Sequence, residues 1–155
     1  MANVIKKSAT LRCSPNDAFR AFVEKVDLWW PQGHRKFEGS TLRFEARVGG
    51  RFFEDHPTDG QFVLGEVLEL TPPKVLRFTW HPGKLSAPTE VSVRFVAAGD
   101  TTQVLIDHSE GSAAMGERWP ERAALFVAGW TRVLAALDDY VLSSTPGQKN
   151  GNLTF

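Results

Sequence analysis

Between Thr41 and Ser109 apolar and polar residues alternate with a period of two, interrupted by clusters of turn formers, and the pattern predicts six strands. Leu42 and Phe44 alternate with Arg43 and Glu45, and Gly49-Gly50 then turns the chain into a strand from Arg51 to Asp55. His56-Pro57-Thr58-Asp59-Gly60 forms the next turn, followed by a strand from Phe62 to Leu70 that ends at Thr71-Pro72-Pro73. Val75 to His81, Thr89 to Val96 and Thr102 to Ser109 complete the set, separated by Pro82-Gly83 and by Ala98-Gly99-Asp100. One parity collects Leu76, Phe78 and Trp80, then Val91, Val93 and Phe95, then Val104, Ile106 and His108; Arg77, Arg94 and Asp107 take the other. A sheet patterned this way has one wetted face and one that needs a cover.

The ends of the chain supply the cover. Asn3 to Arg12 alternate loosely as a first strand, and Ser14-Pro15-Asn16-Asp17 reads as the cap and first turn of a helix. Ala18, Phe19, Phe22, Val23 and Val26 recur at helical spacing, as one short helix or a pair, until Pro31 and Gly33 break the run. From Pro120, a stripe of Ala123, Phe126, Val127, Trp130, Val133, Leu134, Leu137, Tyr140 and Val141 predicts a helix to about Ser143. That helix would be on the order of 35 Å long, enough to cross a small sheet. Residues 145–155 lack periodicity and read as a flexible tail, leaving 1–144 as a single domain. The fold class is therefore α+β: a curved antiparallel sheet wrapped around a long C-terminal helix, with two short helices after the first strand.

Composition narrows the function. The 155 residues are 42% hydrophobic and 23% charged, as in an ordinary globular protein able to bury its own core. Eighteen basic and eighteen acidic residues cancel, so no electrostatic footprint for nucleic acid is present. No apolar run approaches the roughly 20 residues that span a bilayer, which argues against membrane insertion. Cys13 stands alone and the first residues carry no apolar signal segment, so a reducing cytoplasm is the expected location.

A small aromatic sheet covered by one helix tends to enclose a cavity. The expected ligand is a hydrophobic small molecule held by apolar burial. Its site would be lined by Phe44, Phe53, Phe78, Trp80, Phe95, His108, Phe126 and Trp130, with Trp29 and Trp30 forming a lip at the mouth beside the Pro31–Gly33 loop. Core packing competes with this role, most strongly for Trp130. His108 ends an inward parity set, where an imidazole can orient a ligand or act as an acid or base; a buried histidine satisfied by the backbone is the plainer account. Glu54-Asp55-His56 resembles a carboxylate and base cluster but falls at a hairpin tip, which favours solvated turn chemistry. The direction of Glu54 and Arg51 is open near that hairpin, and His34 is expected to be solvated. The histidines at 34, 56, 81 and 108 have no paired ligand spacing, so neither a metal nor a cofactor is expected. Cys13 has no base nearby in sequence, and no nucleophile elbow occurs.

The order of elements resembles the helix-grip fold of the START and Bet v 1-like superfamily. Within it the chain is similar to the C-terminal domain of the activator of the Hsp90 ATPase, over residues 3 to 143. The resemblance is carried by Gly49-Gly50-Arg51-Phe52-Phe53-Glu54, Gly65-Glu66-Val67 before Pro72-Pro73, and Leu76-Arg77-Phe78-Thr79-Trp80. Thr101 through His108 and Gly129-Trp130 with Leu134 and Leu137 complete it. It implies a cavity between sheet and long helix that takes apolar or amphipathic molecules. The same resemblance admits two alternatives. One is a cyclase or hydrolase using the cavity with His108; the other is a protein-binding module with a chaperone partner, weakened because no counterpart of the activator's N-terminal domain is present. A homodimer is a further partner left open.

Overall fold

The computed structural model describes residues 4–81, 88–111 and 118–144. Strand β1 (Ile5–Leu11) is followed by helices α1 (Pro15–Val23) and α2 (Val26–Trp29) and a 3-10 turn at Gln32–His34. Strands β2 (Thr41–Phe44), β3 (Arg51–His56), β4 (Gly60–Thr71), β5 (Val75–Trp80), β6 (Thr89–Ala98) and β7 (Thr101–Ser109) follow. Helix α3 (Trp119–Ser144) is the last element among the described residues. The seven strands form one antiparallel sheet in the order β1-β7-β6-β5-β4-β3-β2. Both the α+β class and the two short helices after the first strand are as the sequence pattern predicts. The expected turn at Pro82-Gly83 and the tail at 145–155 lie outside the described residues.

Local chemistry explains the boundaries. The Ser14 hydroxyl accepts from Asp17 N at 3.1 Å, and Pro15 at the first position costs no helical hydrogen bond, so α1 starts where the sequence places its cap. At 26 residues, α3 is about 39 Å long. It lies along β1, while α1 lies across β6 and β7.

The sheet curls because its ladders slip at two places, between Phe52 and Phe53 opposite β4 and between Val67 and Glu69 opposite β5. A bulge locally increases the right-handed twist. Gly65 lies between the two slips, and a Cβ there would collide with the Thr79 carbonyl of β5. Only glycine permits this approach of two backbones.

Most of the space between sheet and helices is filled. Phe44 stacks on Phe52 with centroids 3.9 Å apart, and Phe78 meets both rings edge-on at 5.3 and 5.6 Å. Phe95 packs against Phe19 and Phe22 of α1 at 5.2 and 6.0 Å. This corrects the expectation of a hollow running between the layers. The α1 side chains descend into it, and edge-to-face aromatics interlock in preference to leaving a void. The stripe on α3 has one exception: Val127 is exposed. The outer face carries the predicted charges as ion pairs, including Arg77 with Glu69 and Glu90 and Arg94 with Asp107.

Candidate functional site

Where the aromatic core stops, near the loop after α2, a cleft of about 330 Å³ remains. Glu54 of β3, Leu64 of β4 and Trp80 of β5 form its sheet wall. Leu125, Phe126, Gly129, Trp130 and Val133 of α3 form the helix wall. Trp30, Gly33, His34, Arg35 and Lys36 close its third side. Gly129 keeps the helix wall low: the nearest group to a Cβ there would be the His34 ring, at 3.9 Å.

The loop is held by two buried ionic side chains. Arg35, its side chain 2% exposed, donates to Asp27 Oδ1 at 2.7 Å and Asp27 O at 2.9 Å, to Trp30 O at 2.8 Å and to Ser40 O at 2.6 Å. A guanidinium carries five donors in a rigid fork, so it can tie these groups together where an ammonium cannot. Asp27 Oδ1 also accepts from Leu42 N at 2.9 Å, fastening α2 to the outer edge of β2. Glu54, 1% exposed, accepts from Lys36 N at 2.6 Å, Phe37 N at 2.9 Å and Ser40 Oγ at 2.8 Å. Solvated turn chemistry is therefore wrong for Glu54. It stands inside β3 on the face of Phe52, while Arg51 points to the other face and pairs with Glu45 at 3.0 Å. His56 does behave as a turn residue, its Nδ1 accepting from Thr58 N and Asp59 N.

Of the ten residues expected at a ligand site, Trp30, Trp80, Phe126 and Trp130 line the cleft. Phe44, Phe78 and Phe95 belong to the packed core described above. Trp29 is buried there too, its indole donating to Ala21 O at 2.7 Å, so it is an anchor for α2 and not a lip. Phe53 faces away from the cleft, pairing across the strands with Arg43 and Val63, with the Arg51 guanidinium 4.2 Å over its ring. His34, expected in solvent, is half-buried in the cleft wall.

His108 is fully buried behind this wall and does not line the cleft. Its Nδ1 accepts from Trp130 Nε1 at 2.9 Å, and its Nε2 lies 2.8 Å from Thr89 Oγ1, which donates to Trp80 O at 2.9 Å. The proton positions follow. An indole can only donate, so Nδ1 is the bare nitrogen; the Thr89 proton is engaged with Trp80 O, so Nε2 carries hydrogen. Burial holds the imidazole neutral, pushing its pKa down to about 4. Service as a general base toward a bound molecule would first require breaking one of these bonds. Burial, with help from Asp17, pushes the Cys13 thiol up to about 11, which removes it as a thiolate nucleophile.

Arg35 and Glu54 escape a reading by motif. The one available signal was parity: Glu54 is two residues from Phe52 on one strand and must share its face. Among the described residues no group of three histidine, cysteine or carboxylate side chains is placed to hold a metal, and no helix is long and apolar enough to cross a membrane.

Among solved structures, the anthrahydroquino-gamma-pyrone synthase Txn09, complexed with SUM, is 29% identical, with 88% of this chain and 95% of that one covered and a TM-score of 0.60. Protein MLL2253 from Mesorhizobium loti is 18% identical over 92% and 98% of the two chains, with a TM-score of 0.68. An HSP90 activator from Plasmodium falciparum is 20% identical over 69% and 72%, with a TM-score of 0.55. The last two likenesses are of fold alone. No curated protein matches the chain in sequence. Residues 12–142 match the family described as activator of Hsp90 ATPase homolog 1-like protein, and with the match spanning most of its length the chain belongs to that family.

Proposed function

We propose that the protein binds a small apolar or amphipathic molecule in the cleft between β3–β5 and α3. The observation that carries this reading is an aromatic-walled cleft of about 330 Å³ with one buried carboxylate in its wall. Ligand sites of roughly 300–1,000 Å³ have this make-up, mostly apolar with a few convergent polar groups. The likeness to a synthase solved with a bound molecule supports the same reading. Covering about 250 Å² of apolar surface gives a gross gain near 6 kcal/mol before the cost of association, so micromolar or weaker affinity is expected. The setting proposed is the cytoplasm, which suits a single free cysteine.

N-phenyl-1-naphthylamine, a neutral apolar fluorophore, tests the reading. It is expected to bind saturably at one site and to quench tryptophan emission, because three indoles border the cleft. Gly129→Leu, which fills the cleft from the helix side, is expected to weaken binding at least tenfold with an unchanged fold by circular dichroism. Non-saturable binding to the wild type, or equal binding to the folded variant, would overturn the proposal.

A further inference from the structure

The cleft's electrostatics point to the charge of its guest, an inference that rests on the binding role proposed above. Glu54 is buried, yet its three partners are two backbone amides and a serine hydroxyl, all neutral. Among the described residues no ammonium or guanidinium nitrogen lies within 4.0 Å of it. A carboxylate offers about four acceptor positions, so three donors leave one open.

The neighbouring cations are engaged elsewhere. The Arg35 guanidinium is bound to Asp27 and to the carbonyls of Trp30 and Ser40. The Lys36 ammonium lies 4.5 Å over the Phe62 ring and 5.7 Å over Phe37. His34 is the remaining titratable group of the lining, its ring set against Gly129 on the helix side, and if protonated it would oppose a cationic guest.

The aromatic walls lean the same way. Trp30 donates its indole N–H to His34 O at 3.3 Å and Trp130 donates to His108 Nδ1, so these two indoles offer the cleft carbon surface and not a donor. Aromatic π faces attract cations, whereas a purely apolar guest would leave the remaining acceptor position of Glu54 without a partner. We propose that the cleft selects a protonated amine with an aromatic or alkyl body, its ammonium against the Glu54 carboxylate and its body between Trp30, Trp80, Trp130 and Phe126.

Three probes with a common ring system decide this by calorimetric titration of the full chain at pH 7.5: 1-naphthylmethylamine, 1-naphthylmethanol and 1-naphthoate. The ammonium is expected to bind at least tenfold tighter than the alcohol, and the carboxylate weakest of the three. In Glu54→Gln the ammonium-to-alcohol ratio should fall below threefold, whatever the alcohol's own affinity becomes. Loosening of the loop alone would weaken both ligands and keep the ratio. Ammonium and alcohol binding equally, naphthoate binding tightest, or a ratio that survives in Glu54→Gln would each overturn the inference while leaving the cleft a binding site. If none of the three binds, the binding role falls and this inference with it. Should Glu54→Gln fold poorly, the wild-type ranking decides.

Discussion

His108 Nδ1 accepts a 2.9 Å hydrogen bond from the indole of Trp130, joining the middle of α3 to the end of β7. Through Thr89 the same imidazole reaches the backbone of Trp80, so two aromatic walls of the cleft hang on one neutral ring. A buried network of this kind rigidifies only while every member is satisfied. Protonation would place an N–H against the Trp130 N–H.

Stability should therefore depend on pH through His108. Its folded pKa of about 4 lies below the ordinary 6.5, so the unfolded chain takes up the proton first. The contribution is complete above about pH 6.5 and is lost as pH falls toward 4, on the order of 3 kcal/mol in all. Among the described residues the ring's aromatic and hydrogen-bond partners are Trp119, Phe126, Trp130 and Thr89, none of them charged. Urea unfolding from pH 7.5 to 4 should show a shallower slope for His108→Phe than for the wild type, from a lower starting stability. Parallel slopes would exclude the imidazole as the cause.

Arg35→Lys should open the loop over the cleft. An ammonium can replace some of the bonds to Asp27, Trp30 O and Ser40 O but cannot span them all. Asp27 is partly solvated, so a loss of about 2–3 kcal/mol is expected, below the full cost of orphaning a buried partner. Amide exchange should accelerate at Arg35 to Ser40 and stay unchanged in β6 and β7. Uniform acceleration across the sheet would show that Arg35 supports the whole fold and not this loop.

Two glycines should respond to alanine in opposite senses. Gly65→Ala forces a methyl into the Thr79 carbonyl and should cost at least about 2 kcal/mol, since neither backbone can retreat from the ladder. Gly129→Ala meets only the His34 ring at ordinary contact distance and should stabilise α3 by about 0.5–1 kcal/mol. Thermal denaturation of both variants checks the contrast; similar losses would mean that the helix wall is already closed against His34.

Local pattern alone determined the strands, the Ser14 cap, the long helix and the inward parity of Leu76, Phe78, Val91, Val93, Val104, Ile106 and His108, because these depend on periods of two and 3.6 and on turn chemistry within a few residues. Tertiary structure alone decided where the space between the layers stays empty. Aromatic residues of one parity read alike, yet Phe95 is filled against by α1 while Trp80 is left beside a void, and that depends on how far an element distant in sequence descends onto the sheet. The same distance hid Glu54 and Arg35, whose partners lie on segments up to 18 residues away and whose burial only the closed loop imposes.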